Sequence, residues 1–517
     1  MRGERGVFVN QSVSRAGVGN VRLNIVVGEG VRSEQLNDTS LGRHLDRLFE
    51  AGAEGMFNAA CLRVVDVEGI HVERMQGDTT SRLVFGAYRH EEDDAISITH
   101  GHSKDKRPDL KQVMYGLVTS TDGVPLVGQM LSGNTSDKTW HGSMLDAIQR
   151  RYIEGSGRAV HYVGDSALVT SRNFELAHRN GIVVTSRLPR TISLADSVVL
   201  RAVYEPLPME DIGTFGAGKE ATRYEACVIS GCQLFERPVQ LGVYRPMPAP
   251  ERTRDAMLRR REKALTAARR AAAKLMKQRF CCERDARVAI EAFEVEHLQV
   301  THADRLITVA AEVVEESVPA PRPRGRPRKD SEAPPSTTEC RIGLAVEPDD
   351  ANMEAIIKRE SCFVLVHTGT EPITPRDLMA AYKGQVVVEK RFPFLKDPAW
   401  AEVFFLKTPH RVEALGYVLL LALLLWSVWE RRIRANLKHS GEKPLVDTTG
   451  MKKSNPTAAV CRHILDGIRV MRLRDGDTYT PWQLAAPLTA EQQRVARFSR
   501  APPARLLASA ENRQLSS

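Results

Sequence analysis

Residues 382–396 read YKGQVVVEKRFPFLK, which sets Tyr382, Gln385, Glu389 and Lys396 at steps of three, four and seven. On an α-helix such steps return to one face. One stripe then carries an aromatic hydroxyl, an amide, a carboxylate and a cation. A cation-assisted phosphodiester site needs a face of this kind, with an acid for a divalent ion and donors for phosphate oxygens. Taken alone, the spacing fits equally an ordinary amphipathic helix with a solvated charged face. Pro393 falls inside the run. Its ring clashes with the carbonyl of Glu389 and removes a helix hydrogen bond, so a kink is predicted between Glu389 and Lys396.

Working outward, two further carboxylates stand beside apolar segments. His71–Gly77 reads as a strand with Asp78 at its end, flanked by Thr79 and Thr80. Val160–Val163 is a short apolar strand that ends at Gly164-Asp165-Ser166. Either aspartate alone reads as a turn or cap residue. Two strand-end acids and one helical acid can converge on a pair of divalent cations, which together stabilise the attacking and leaving oxygens of a phosphodiester displacement. No Ser/His or Cys/His pair offers a covalent route. His100 and His102 form an HxH pair that reads as polar loop residues rather than metal ligands.

The chain has 517 residues, 42% of them hydrophobic and 26% charged, enough for roughly two to four domains of ordinary globular composition. Its formal net charge of +9 is concentrated. Residues 251–280 hold eleven Lys/Arg against three Asp/Glu, and residues 322–329 add five cations and no acid. Two short stretches thus exceed the whole surplus, which points to a polyanion, most simply nucleic acid. The eight cysteines show no CxxC spacing and read as reduced, structural thiols of a cytoplasmic protein. No secretory signal opens the chain. The apolar run from Ala414 to Trp429 is short of the ~20 residues a bilayer span needs and reads as a buried core helix, with no membrane partner.

The organisation follows from these segments. Residues 1–32 are left unassigned. Residues 33–70 are helical, with Leu41, Leu45, Leu48 and Phe49 at helical spacing. In residues 71–197, Val113–Ser120 and Val124–Leu131 read as a hairpin through Thr121-Asp122-Gly123, followed by a helix over Ser136–Tyr152 and a strand at Gly181–Ser186. Residues 198–372 read as strand-rich. They include a long basic helix at 251–280, whose Leu258, Leu265 and Ala272 stand seven apart as in a coiled-coil arm, and a basic Pro-rich linker at 317–338. Residues 373–440 carry the 382–396 helix and the apolar helix, and residues 441–517 form a small tail. Within the linker, Arg324-Gly325-Arg326-Pro327 fits the narrow minor groove of A·T-rich DNA and equally a basic segment that touches phosphates without selectivity.

Five blocks in order, Gly77-Asp78-Thr79-Thr80, residues 100–112 (HGHSKDKRPDLKQ), Gly133-Asn-Thr-Ser-Asp137, His161-Tyr-Val-Gly-Asp165-Ser, and Tyr382-x2-Gln385-x3-Glu389-x6-Lys396, together resemble DDE transposases of bacterial insertion sequences. More narrowly they are similar to the IS-four-like superfamily, in its IS-sixteen-thirty-four branch, over roughly residues 33–480. The resemblance implies an α/β fold: an RNase H-like catalytic core interrupted by a strand-rich insertion with a long basic helix. It implies that Asp78, Asp165 and Glu389 form the catalytic triad and bind two Mg²⁺, or Mn²⁺. Tyr382 and Lys396 match phosphate-contacting positions. Gln385 stands where the family carries Arg, exchanging a bidentate cation for a neutral amide. Arg107 and Lys111 are further candidate phosphate contacts, with Arg324 and Arg326 in the linker. The implied partners are the terminal inverted repeats of the element, target duplex DNA and further copies of the chain, in the bacterial cytoplasm and on the nucleoid. The implied reaction is cleavage at an element end to free a 3′-OH, which then attacks target DNA in line. Family members carry a longer helical DNA-binding region before the block that begins near Leu36, so the frame is expected to be N-terminally truncated or mis-started.

Three alternatives share parts of this pattern: a decayed, inactive transposase that still binds DNA, a metal-dependent nuclease that does not join strands, and a non-catalytic protein that binds DNA through its basic segments. The complete Asp78/Asp165/Glu389 set argues against the last of these.

Overall fold

The computed structural model describes residues 37–88, 94–103, 107–154, 157–205, 207–216, 218, 221–298, 304–319, 336–397, 406–471, 474–475, 478–479 and 483–500. The chain forms two compact units, Met1–Ser186 with Ala381–Ser517, and Arg187–Ala380.

The first half of the discontinuous unit begins with helices α1 (Asp38–Glu50) and α2 (Ala53–Glu68). Asn37 caps α1, its side chain accepting from the Ser40 N–H at 2.9 Å. Strands β1 (Arg74–Val84), β2 (Lys111–Ser120) and β3 (Pro125–Ser132) follow, then α3 (Asp137–Ile148), β4 (Val160–Val163), α4 (Ser171–Arg179) and β5 (Ile182–Arg187). The strand order is β3-β2-β1-β4-β5. Strands β1 to β3 form an antiparallel meander, while β4 runs parallel to both β1 and β5. This is a mixed sheet in an α/β unit. Phe57, Tyr115, Leu117, Trp140 and Tyr162 are fully buried around it, and burial of each such side chain contributes about 1.5–3 kcal/mol.

The continuous unit contains α5 (Ser193–Tyr204), β6 (Glu210–Phe215), β7 (Thr222–Leu234), β8 (Arg237–Met247), α6 (Glu251–Leu275), α7 (Glu283–His297), β9 (Ile307–Pro319), β10 (Ser336–Pro348), α8 (Asp350–Ser361), β11 (Phe363–His367) and α9 (Pro375–Lys383). Strands β11-β8-β7-β6 pair antiparallel in that order, and β9 with β10 makes a separate antiparallel ribbon. Residues 320–335, with Arg324 and Arg326, lie outside the described residues, as do residues 1–36. The sequence offered α6 as a coiled-coil arm. Instead Leu265, Ala268 and Ala272 pack into a core with Phe293, Val346, Met353 and Ile356 of the same unit, and Leu258 stays exposed. The seven-residue repeat therefore serves an intrachain face.

The discontinuous unit is completed by α10 (Val386–Glu389), α11 (Phe392–Lys396), α12 (Pro409–Ser440), α13 (Ala458–Leu465) and α14 (Ala490–Phe498). Helix α12 is long and apolar enough to cross a membrane by length and composition, but most of its apolar window is buried against α1, α2 and β3. At its start, the Arg411 guanidinium grips Asp46 of α1 through two contacts of 2.6 and 2.8 Å, and His410 adds a third at 3.0 Å. Gly42 leaves room for it, since a Cβ there would stand 2.9 Å from Arg411 Nη1. This clamp holds the Asp46 carboxyl at about 2, chiefly through the Arg411 hydrogen bond. A carboxyl whose pKa is depressed in the fold contributes stability above its unfolded value and loses it as the pH falls. Thermal melts are therefore expected to show a stability loss between pH 5 and pH 2 that is smaller in Asp46→Asn, because Asp211 and Asp447, also held at about 2, still titrate in that window. Superimposable pH profiles for the two proteins would sink this expectation.

Candidate active site

Asp78 lies in the middle of β1 rather than at a strand end. The sequence ended this strand at Gly77 because Asp78-Thr-Thr-Ser-Arg82 reads as a polar turn. In the fold these residues continue the ladder with β2, where Asp78 pairs with Leu117 and Arg82 with Val113. Thr79, Thr80, Ser81 and Arg82 are all buried. On its other side β1 pairs with β4 only as far as Gln76↔Val163. Continuing that parallel register by two positions sets Asp78 level with Asp165. Asp78 therefore stands where the sheet opens between β1 and β4, although its own strand runs on.

The two aspartates bracket a buried polar network that sequence reading missed. His141 of α3, 1% exposed, has Nε2 at 3.0 Å from Asp165 Oδ1 and Nδ1 at 2.9 Å from the Tyr162 hydroxyl. An ionised carboxylate only accepts, so Nε2 is the nitrogen that donates to Asp165, and Nδ1 is left to the Tyr162 hydroxyl. Asp165 Oδ1 also accepts the Ala167 N–H at 3.1 Å. Burial pushes the Tyr162 phenol well above its ordinary pKa, and the fields of Asp165 and then Asp78 push the same way, so both carboxylates act on one buried group. Gly77 permits this approach: a Cβ there would lie 2.0 Å from the Tyr162 hydroxyl oxygen. Asp78 accepts from the Thr79 N–H at 2.7 Å, and the Thr79 hydroxyl donates to Asp137 at 2.6 Å. The one sequence signal for His141 is its place one helical turn after Asp137.

The stretch 382–396 is not one helix but three pieces, parted at Gly384-Gln385 and at Lys390-Arg391. Its backbone stays in the right-handed region at the breaks but tightens. Gln385, Val387, Val388, Arg391 and Phe394 donate to the carbonyl three residues back. Such turns advance the side chains by more than an α-helix does, so the predicted common face fans out. Pro393 sits in the first turn of α11, where its missing N–H leaves no bond broken. The chain turns just ahead of it. Glu389 is exposed on a turn that packs against β1 and β2. Tyr382 and Lys396 are half-buried, and Gln385 is buried at 6% exposure, away from any ligand outside the protein. Arg82, buried within β1, donates to the Leu395 carbonyl and fixes α11 to the sheet.

The other predicted contacts are engaged within the protein. Arg107 holds Asp109 through two contacts of 2.8 and 2.6 Å. Lys111 Nζ donates to the carbonyls of Ala87 and Tyr88, each at 2.9 Å. Paired carboxylates at Asp78 and Asp165 offer the hard oxygen donors that Mg²⁺ takes. Among the described residues, however, no three His, Cys, Asp or Glu side chains stand together as one ligand cluster. The structure thus sets Asp78 of β1 level with Asp165 just past the end of β4, and joins neither with Glu389 in such a cluster among the described residues.

Residues 18–62 match a family described as a domain of unknown function (DUF4277). No curated protein matches the chain. Among solved structures, a piggyBac transposase synaptic complex with hairpin DNA aligns at 8% identity and a TM-score of 0.32, covering 86% of this chain and 54% of that one. A Mos1 transposase paired-end complex with the left transposon end aligns at 10% identity and a TM-score of 0.16, covering 32% and 49%. A Mos1 mariner paired-end complex with Mn aligns at 12% identity and a TM-score of 0.16, covering 34% and 51%. The chain spans about half the length of each of these solved chains.

Proposed function

We propose that this chain is a DDE transposase of the insertion-sequence type, with an RNase H-like core, that cuts DNA at element ends and joins the freed strand to target DNA. The observation that carries the reading is the register that sets Asp78 of β1 level with Asp165, two residues past the end of the neighbouring parallel strand β4, both from blocks that resemble the family. The strand order β3-β2-β1-β4-β5, a meander followed by two parallel strands, supports the RNase H-like assignment.

In this reading Asp78 and Asp165 hold the divalent cation, Mg²⁺ or Mn²⁺, and Glu389 completes the set when the 386–396 turns seat on bound DNA. The cation supplies charge stabilisation to the attacking and leaving oxygens. His141 orients Asp165, and Tyr162 fixes His141 from behind. Lys396 and Tyr382 flank Glu389 seven residues to either side in sequence and contact the phosphate. The strand-rich residues 198–372 form the insertion. The partners are the element's terminal repeats, target duplex and further copies of the chain.

A second reading, a decayed enzyme that still binds DNA, is favoured by two observations: the buried Gln385 and the absence of a three-ligand cluster among the described residues. One experiment separates them. Labelled duplex carrying the element's ends is incubated with Mg²⁺ or Mn²⁺ and either the native chain or Glu389→Gln. Nicking at the end by the native chain alone supports the transposase. Salt-sensitive binding without nicking selects the decayed form.

A further inference from the structure

Helix α6 sorts its cations onto two faces. Arg254 binds Glu354 at 2.7 Å, Arg261 binds Asp350 at 2.5 Å and Arg269 donates to the Val346 carbonyl at 3.1 Å, all towards its own unit. Arg252, Arg259, Lys263, Arg270 and Lys274 are exposed, and none of their side chains has an ion pair or hydrogen bond among the described residues. Their steps of seven, four, seven and four keep all five within a narrow angular range at 100° per residue. The buried residues Leu265, Ala268 and Ala272 lie on the opposite side. The result is a straight stripe of five cations, about 33 Å long at the helical rise of about 1.5 Å per residue. Asp255 and Glu262 border one flank, and Arg260 extends the other.

We infer that this outer face of α6 is a docking surface for the phosphate backbone of duplex DNA, separate from the Asp78/Asp165 site. Charge complementarity argues for the partner. A duplex carries a negative charge for about every 1.7 Å of axis, and a stripe of this length spans about one helical turn, so it crosses both phosphate backbones within the reach of long Arg and Lys side chains. A membrane surface is a poorer fit, because an interfacial helix must turn an apolar face to lipid, and the apolar face of α6 is already buried. The stripe offers no base-reading geometry, so the binding is indifferent to sequence and steep in salt. The inference rests on duplex DNA being the partner but needs no intact carboxylate set.

The test measures duplex affinity of the full chain across a salt series by fluorescence anisotropy. Arg259→Gln/Lys263→Gln/Arg270→Gln keeps helix propensity while removing three charges. Its log–log salt slope is expected to be shallower by about 2.7, at about 0.9 per lost phosphate contact, and its affinity at low salt roughly 10²–10³-fold weaker. A charge-matched control removes Arg43, Arg47 and Arg150 of the other unit, which are exposed, and should bind nearly as the native chain does. Equal losses in both variants would reduce the effect to bulk charge and overturn the inference. So would an unchanged slope, or loss of binding to phosphatidylserine vesicles with duplex affinity intact. Glu389→Gln, tested alongside for cleavage, separates the two sites. Loss of its cleavage alone bears on the carboxylate site, and loss of binding in the stripe variant alone bears on α6.

Discussion

Asp165→Asn is expected to melt like the native chain and yet lose end cleavage by at least about 10²–10³-fold, the scale of removing one electrostatic partner from a transition state. The asparagine keeps the local contacts. Its Oδ1 still accepts from His141 Nε2 and from the Ala167 N–H, the two contacts that Asp165 Oδ1 makes at 3.0 and 3.1 Å. The His141–Tyr162 bond behind it is untouched. What disappears is the negative charge, which a neutral amide cannot supply to a divalent ion. Mn²⁺ binding read by electron paramagnetic resonance should fall with activity while the thermal midpoint stays. The companion His141→Ala should differ. It opens a cavity at a site only 1% exposed and leaves the Tyr162 hydroxyl without its partner, so stability should fall by about 1–3 kcal/mol. Native cleavage by Asp165→Asn would remove the carboxylate pair from the chemistry altogether.

The sequence carried more of the frame than of the site. The hairpin through Asp122-Gly123 was legible because alternating apolar runs flank a turn dipeptide, and it forms with Val118 opposite Val127. The burial of the 414–429 run was read from its 16-residue length, whereas the full 32-residue helix also suits a membrane span, and what buries it is packing against α1, α2 and β3. Asp78 was misplaced at a strand end because local pattern ranks a run of Asp, Thr, Ser and Arg as turn, whereas the fold pairs two of these side chains by tertiary contacts, Thr79 with Asp137 and Arg82 with a distant carbonyl. Arg82 finds its acceptor at Leu395, a partner no local window contains. His141 was invisible for the same reason: a lone histidine on an apolar helix face gains meaning only when Tyr162 of β4 and Asp165 just beyond it arrive beside the helix. The 382–396 stretch shows the converse. Its spacing suggested one face, but Gly384 and Pro393 divide the backbone, and side-chain spacing says nothing of that division beyond the kink that Pro393 predicts.

Glu430→Ala should be the most damaging single change outside the site, at about 3–5 kcal/mol of stability, which is the scale for breaking one partner out of a buried ion pair. Glu430 sits on the apolar helix α12 at 4% exposure. It receives Arg391 Nη1 at 2.9 Å, Arg434 Nη1 at 2.8 Å and the Ala458 N–H at 2.8 Å. Arg391 is itself 7% exposed, and its Nη2 reaches the Asp122 carbonyl at 3.2 Å. Burial lowers the Arg434 pKa, and Glu430 opposes that shift. Removing the carboxylate leaves two guanidinium groups facing each other with little water to screen them. Domains have only about 5–15 kcal/mol of total stability, so this is a large fraction. Urea denaturation measures the loss, and a change below about 1 kcal/mol would show that water enters and screens the pair. The consequence should extend to function. Arg391 belongs to the turn between Glu389 and α11, so a chain that survives folding should hold Glu389 less firmly. Its cleavage should drop further than its stability at the assay temperature accounts for, and duplex binding through α6 should be unaffected.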